Sequence, residues 1–421
     1  MMDNSSKVPQ ESGALEGVDA RRTSVTAETL QGIDAPTQPR RGESAFDTEG
    51  IAAAAPPEEA RVEVAGQWQL MWWKFRKHKL AVVGGVVTLL IYLVAVFADF
   101  LAPFPANATS TQHTYAPPQP LRFIERTAEG TRFRPHVYGY TTEIDPVALR
   151  RTFVVDESVT VPVGFFVRGA PYRLFGLIPM ERRLIGPLEP GGTMYLLGAD
   201  RLGRDVLSRI IYGSRISMSI GLVGVALSLF LGVLLGGLAG YYGGWVDNLQ
   251  QRVGEFLESI PSIPLWMGLA AAIPLTIPPL QVYFLITVIL SVIGWTGLAR
   301  VVRGRFLSLK TEDFVTAARL DGMSDLRIVM RHMVPNFMSH IIAVVTLSIP
   351  GMILAETALS FLGIGLRAPI VSWGVLLQEA QNIRSVATAP WLLTPGIAVV
   401  VAVLSLNFLG DGLRDAADPY A

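Results

Sequence analysis

The chain has 421 residues, half of them hydrophobic, with equal numbers of acidic and basic side chains and a mean hydropathy of +0.40. So apolar a composition excludes an ordinary soluble domain, and zero net charge with the basic residues gathered beside apolar runs excludes a nucleic-acid-binding face. The absence of cysteine excludes disulfides, thiolate metal sites and cysteine nucleophiles, and none of the five lysines (Lys7, Lys74, Lys77, Lys79, Lys310) follows a glycine, so the chain lacks the Gly-Lys step of a phosphate-binding Walker A loop.

Residues 1–68 are rich in Ala, Ser, Thr, Pro, Gly and acids without a sustained apolar period, which predicts a disordered tail. It does not read as a signal peptide, because no basic start precedes an apolar core. Residues 69–102 read as an amphipathic lead-in and a first membrane span, Leu80 to Ala98, and residues 103–213 as an extracytoplasmic insertion with a lead-in to the second span. Within the insertion, Thr152–Val161 and Val163–Val167 are dense in Val, Phe and Thr between Gly and Pro, the pattern of strands in a small β-rich domain.

Residues 214–414 read as a core of five further spans, since a hydrocarbon core takes roughly 20 apolar residues per helix. Ile216–Tyr242 is the second. Ser259–Ala299 holds no charge and is long enough for two, with the break placed at Ile277-Pro278-Pro279. His340–Ile364 is the fifth, interrupted by Pro350-Gly351 and carrying Glu356, and Trp391–Leu409 is the sixth. Lys74, Arg76, Lys77 and Lys79 before the first span, and the arginines of loop 300–339, predict a cytoplasmic location for that loop and for both termini, including 415–421.

Loop 300–339 carries its own pattern. Thr311 is expected to cap a helix that ends at Gly322, and Ser324 to cap a second, with Leu326, Val329, Met330 and Met333 at helical spacing until Pro335. Such a helix-turn-helix can rest on the lipid surface as an amphipathic loop or lie in a partner's groove, where the small Ala317 and Ala318 would permit close approach.

Three stretches carry a family resemblance: Gly198-Ala199-Asp200-Arg201-Leu202-Gly203-Arg204-Asp205-Val206-Leu207-Ser208-Arg209, Arg331-His332-Met333-Val334-Pro335-Asn336, and Asn407-Phe408-Leu409-Gly410-Asp411-Gly412-Leu413-Arg414-Asp415. In this order among six spans, the sequence resembles the dipeptide/oligopeptide-type permeases of ABC importers, as a C-type subunit, from Trp73 to Pro419. The resemblance implies an all-α polytopic membrane protein of the type I importer permease fold, with the β-rich insertion added, in a bacterial or archaeal cytoplasmic membrane. It also implies a homologous second permease, two ABC ATPase subunits that bind the ATP and Mg this chain does not, an extracytoplasmic binding protein, and peptide cargo. The loop resembles the family's EAA motif, whose two helices dock on the ATPase. By that likeness Ala317, Ala318 and Gly322 lie at the docking contact, Ile328, Pro335 and Asn336 fix the second helix, and Arg319, Asp321 and His332 complete the coupling set. Thr316 stands where the family often has Glu, and Asp321 where an apolar residue is common.

Glu356, an acid within a span, is a candidate for lining the translocation path, with the alternative that it lies near the outer end of its helix, hydrogen-bonded or close enough to water. Pro350 and Gly351 read as a hinge or a packing kink. Gly232, Gly236, Gly237 and Gly240 read as a close-packing face, and Asp200, Arg201, Arg204 and Asp205 as a group that anchors the second span at the interface or whose members pair with one another. The five histidines show no metal-ligand spacing, and no catalytic grouping is found. The rival readings are an ion-gradient-driven secondary transporter and a membrane-anchored scaffold.

Overall fold

The computed structural model describes residues 66–127, 130–144, 151–189 and 191–417. The expected disordered tail lies outside these residues apart from its last three positions, as do residues 418–421.

Helix α1 (Gln67–Lys77) leads into α2 (Lys79–Val96), which His78 caps by accepting the Ala81 N–H on Nδ1. After the single turn α3 (Ala98–Leu101), four antiparallel strands follow in sequence order: β1 (Arg122–Thr127), β2 (Gly130–Ile144), β3 (Arg151–Leu174) and β4 (Ile178–Pro187). Strand β3 pairs with β2 through its first half and with β4 through its second, and Val137, Val161, Val163 and Met194 form a small core beneath the turnover point.

Helix α4 (Val206–Tyr242) is the longest and runs beside α7 (Pro279–Leu309). Their contact is glycine on backbone. A Cβ on Gly236 would lie 2.3 Å from the Ala299 carbonyl oxygen, and one on Gly240 2.8 Å from that of Arg303. Without a hydrophobic drive between helices in lipid, such close approach and the dispersion it gains hold the pair together. The register rises together along both chains: Ser219 accepts from the Tyr283 hydroxyl, Gly224 from Ser291, Gly232 faces Leu298, and Gly240 faces Phe306. Helices α4 and α7 are therefore parallel.

The connection between them differs from one long apolar helix. It comprises the amphipathic α5 (Gly244–Ser259) and the apolar α6 (Ser262–Ala271), whose ten residues cover only about 15 Å. Pro261 separates the two helices and Pro274 follows the second, so prolines beyond the Pro278-Pro279 pair cut this apolar run. Its partners on α7 descend in number as it advances: Asp247 binds Arg303, Glu258 binds Arg300, and Trp266 shares a cavity wall with Leu290 and Gly294. Among the described residues five segments are long and apolar enough to cross a membrane: Lys79–Val96, Val206–Tyr242, Pro279–Leu309, Ile341–Phe361 and Pro390–Ala417.

After α7 come α8 (Asp313–Leu320), α9 (Asp325–Ile328), a π turn at Val329–Met333, and α10 (Val334–Asn336). Helix α11 (Met338–Phe361) then runs unbroken through Pro350, so the expected interruption there does not occur. The short α12 (Trp373–Gln378) and α13 (Ile383–Thr388) precede α14 (Thr394–Ala417). Helix α14 packs on α11 and, antiparallel, on α2, where a Cβ on Gly84 would lie 2.6 Å from the Ser405 carbonyl oxygen. One end of the bundle thus carries the sheet and the other the loop 310–337.

Replacing Gly236 with Leu is expected to cost about 1–3 kcal/mol by forcing α4 off α7, read as a lower melting temperature of the purified protein. Gly297→Ala, where nothing lies within 4 Å, should melt like the parent.

Candidate coupling site and the buried acid of helix α11

The loop 310–337 is built on two short helices and a glycine. The extended Glu312, and not Thr311, precedes α8. Thr311 instead donates its hydroxyl to the Ser308 carbonyl, which corrects its expected capping role. At the other end Asp321, Gly322 and Met323 donate to the carbonyls of Ala317, Arg319 and Ala318. Gly322 does so at φ +74°, a conformation that carries a steric cost for any residue with a Cβ. Ser324 stands at the start of α9 without a side-chain bond. The π turn opens just ahead of Pro335, which has no N–H to return to the helix.

Val315, Ala318, Ile328, Met333 and Phe337 are buried with Leu298, Val302 and Phe306 of α7 and Tyr241 of α4, so the loop packs on the bundle end and not on lipid alone. Ala317 is exposed, while Ala318 is 5% exposed and packed into this core. The stripe expected on the second helix also divides. Met333 is buried, whereas Leu326 and Met330 are 72% and 58% exposed, beside Leu320 at 84%. Asp321, Pro335 and Asn336 are exposed, and His332 is half-buried with Nε2 unpartnered.

Tyr241 in the last turn of α4 ties both helices down. Its hydroxyl donates to Asp325 Oδ1 at 2.5 Å and accepts from Arg319 Nη2 at 3.2 Å, while Arg319 and Lys310 stand 5.7 and 5.8 Å over its ring. Sequence reasoning missed Tyr241 and read Asp325 only as the acid behind the Ser324 cap. The only local signal was an aromatic pair, Tyr241-Tyr242, closing the glycine face.

Glu356 is fully buried near the end of its helix, hydrogen-bonded and without a basic partner among the described residues. Its Oε1 accepts from Ser360 at 2.8 Å and Ser372 at 2.7 Å, and Oε2 from Ser217 at 3.4 Å. Each serine oxygen in turn accepts a backbone N–H: Trp373 on Ser217, Leu366 on Ser360, Val375 on Ser372. An N–H can only donate, so every hydroxyl hydrogen is left to point at Glu356, and the carboxyl serves as acceptor for all three. The acid joins α4, α11, the start of α12 and the turn after α11. Pro350 lies buried two turns before it, and Gly351 lines a cavity of about 290 Å³ with Trp266, Gly294 and Met352.

At the sheet end, the stretch Gly198–Arg209 folds into a latch. Asp200 receives Arg204 Nε at 2.7 Å and Arg209 Nη1, and its Oδ1 accepts the N–H groups of Leu202 and Arg204. Asp205 caps α4 through Ser208, and burial pushes its carboxyl up to about 6. Trp391 lies over Gly198 and donates to the Ala199 carbonyl, and Glu379 accepts the Arg201 N–H. These charges are consumed by the fold. Among the described residues no group of His, Asp and Glu is arranged to hold a metal ion.

Residues 232–420 match the family model of the binding-protein-dependent transport system inner membrane component, and residues 66–118 that of the N-terminal TM domain of oligopeptide transport permease C. The chain is 30% identical to the dipeptide transport system permease protein DppC of Alkalihalophilus pseudofirmus, over 87% of this chain and 94% of that one. It is 39% identical to the oligopeptide transport system permease protein OppC of Haemophilus influenzae, over 53% of this chain and 70% of that one. A chain in a solved structure of the MetNI methionine ABC transporter has a TM-score of 0.37 and 17% identity, over 50% of this chain and 97% of that chain. The chain belongs to the dipeptide/oligopeptide family of ABC importer permeases, as a C-type subunit.

Proposed function

We propose that this permease carries peptides across the cytoplasmic membrane with a homologous second permease, and that loop 310–337 docks on separate ATPase subunits which bind the nucleotide and Mg. An extracytoplasmic binding protein delivers the cargo. The observation that carries the coupling reading is the exposure of Leu320 on α8, Leu326 on α9 and Met330 on the π turn, with both short helices fixed to α4 through Tyr241. A surface of this kind suits a partner's groove, and its connection to a membrane-spanning helix gives a partner's movement something to push on. Ala317 and Gly322 belong to this outward surface, Arg319 to its attachment, and Ala318 and Ile328 to the core beneath it.

The reading includes six crossings. Because α4 and α7 are parallel, the chain has to return between them, and α5 with α6 supplies that return as a broken third crossing. Both termini and the loop then lie on the cytoplasmic side, with the sheet outside. Pro350 and Gly351 bring α11 to the path, and Glu356 positions the turn at its end.

Leu320→Glu combined with Leu326→Glu is expected to leave insertion and melting unchanged and to cut ATP-driven peptide uptake into proteoliposomes at least tenfold. Undiminished uptake would remove the docking reading. Ala318→Trp should act differently, lowering the melting temperature because the residue is 5% exposed and enclosed by its own chain.

Single cysteines report topology without background, since the chain has none. Ser158→Cys is expected to react with an impermeant maleimide added outside intact cells, and Ser324→Cys only after lysis. The opposite pattern overturns the orientation.

Glu356→Ala leaves three buried hydroxyl hydrogens without their acceptor and is expected to destabilise the protein by about 1–3 kcal/mol. Glu356→Gln, which keeps one acceptor oxygen, should recover part of the melting temperature and of the uptake. Loss of uptake in Glu356→Gln at parental stability would instead assign the acid to the path itself.

A further inference from the structure

Between β3 and β4 the sequence runs Leu174-Phe175-Gly176-Leu177-Ile178-Pro179-Met180 without a polar side chain, bounded by Arg173 on one side and Glu181-Arg182 on the other. In the structure this is a hairpin tip: Leu174 pairs with Ile178, and Phe175, Leu177 and Ile178 are 53%, 80% and 53% exposed. Contiguous apolar exposure of this kind marks a contact surface. Its place in the fold identifies what it contacts.

The Phe175 ring meets Phe97, the residue that ends α2, edge-on at 5.6 Å, and Phe166 lies 6.0 Å from Phe100 in α3. Both Phe166 and Phe175 hold φ at 54°, sparsely populated for a bulky side chain, to set these rings. Phe175 and Gly176 share a cavity wall with Tyr92 and Val96 of α2 and Leu222 of α4, residues within the membrane-spanning segments. The depth is fixed by Arg183, only 1% exposed, whose Nη1 donates to the Asp99 and Ala102 carbonyls at 3.1 and 2.8 Å. Gly169 makes room for it, since a Cβ there would lie 2.8 Å from the Arg183 side chain. The hairpin tip is thereby held level with the last turns of a membrane span, where the surrounding medium is lipid.

The flanking residues match such a medium. Arg168 pairs directly with Arg182 across the two strands, like charges in a position that costs energy without a counter-ion, and Arg173 pairs with Pro179 next to the tip. Tyr172 donates its hydroxyl to the Arg182 carbonyl at 2.6 Å. An aromatic and arginine fringe above an apolar tip is the composition of a membrane interface.

We infer that the β3–β4 tip dips into the adjoining leaflet of the bilayer, with Phe175, Leu177 and Ile178 among acyl chains and Arg168, Arg173 and Arg182 at phospholipid phosphates. It rests on α2 being a membrane span and is independent of the coupling reading. The sheet is then held to the membrane at two points, through Arg183 to the end of the first span and through the tip to lipid.

The test uses Leu177→Cys in the full cysteine-free chain, labelled with an NBD fluorophore and placed in phosphatidylcholine/phosphatidylglycerol nanodiscs, with Ile178→Cys as a second reporter and Ser158→Cys as the aqueous control. At both tip positions, emission is expected to shift to the blue of the control, resist iodide, and fall at least twofold when the lipids carry a nitroxide near the top of the acyl chain. Water-like emission quenched by iodide overturns the proposal. So does protection from both quenchers, which would mean that protein and not lipid covers the tip.

Discussion

Gly236 brings α4 onto the backbone of Ala299, and the order of the bundle follows from that contact. Glycine carries an entropic cost in a helix, roughly 1 kcal/mol relative to alanine, yet four of them fall on one face of α4 where Leu298, Ala299, Arg303 and Phe306 approach. The register they impose is parallel. A parallel pair cannot be joined by a tight turn, so the chain between Gly243 and Pro278 must travel back along α7, and the descending contacts of Asp247, Glu258 and Trp266 follow that path. The ion pairs Asp247–Arg303 and Glu258–Arg300 lie along this return and give polar side chains on α5 a partner on α7.

The same helix links the two ends of the molecule. Tyr241 lies one residue beyond Gly240 and holds Arg319 and Asp325, while Ser217, near the opposite end, holds Glu356 and the Trp373 N–H. Thirty-seven residues of uninterrupted helix span about 55 Å. One continuous helix therefore connects α8 and α9 with the serine network and the Asp200 latch.

Much of this was legible in the sequence because the signals were periodic and long. The glycine face of α4, the left-handed Gly322 and the strand-forming run of β3 rest on local chemistry that tertiary packing did not override. The errors arose where distant contacts decide. Ser259–Ala299 was free of charge and so looked like two full spans, but charge-free composition does not register Pro261 and Pro274, which divide the first part into a ten-residue helix. Ala317 and Ala318 were indistinguishable as small residues until α7 fixed which side of α8 is inside. The serines around Glu356 come from positions 217, 360 and 372, and no sequence window brings Ser217 near the other two.

The placement of charge carries a last consequence. Arg183 and Arg215 serve the end of the first span, both giving N–H groups to carbonyls of residues 95–102, with Arg215 also paired to Asp99. Between such borders the apolar runs 80–98, 216–242, 279–299 and 394–410 hold no charged residue, and the run around α11 holds Glu356 alone among Asp, Glu, Lys and Arg. Three serine hydroxyls hydrogen-bond that acid within the fold. The other charged side chains of these elements are therefore gathered at the ends of the apolar runs.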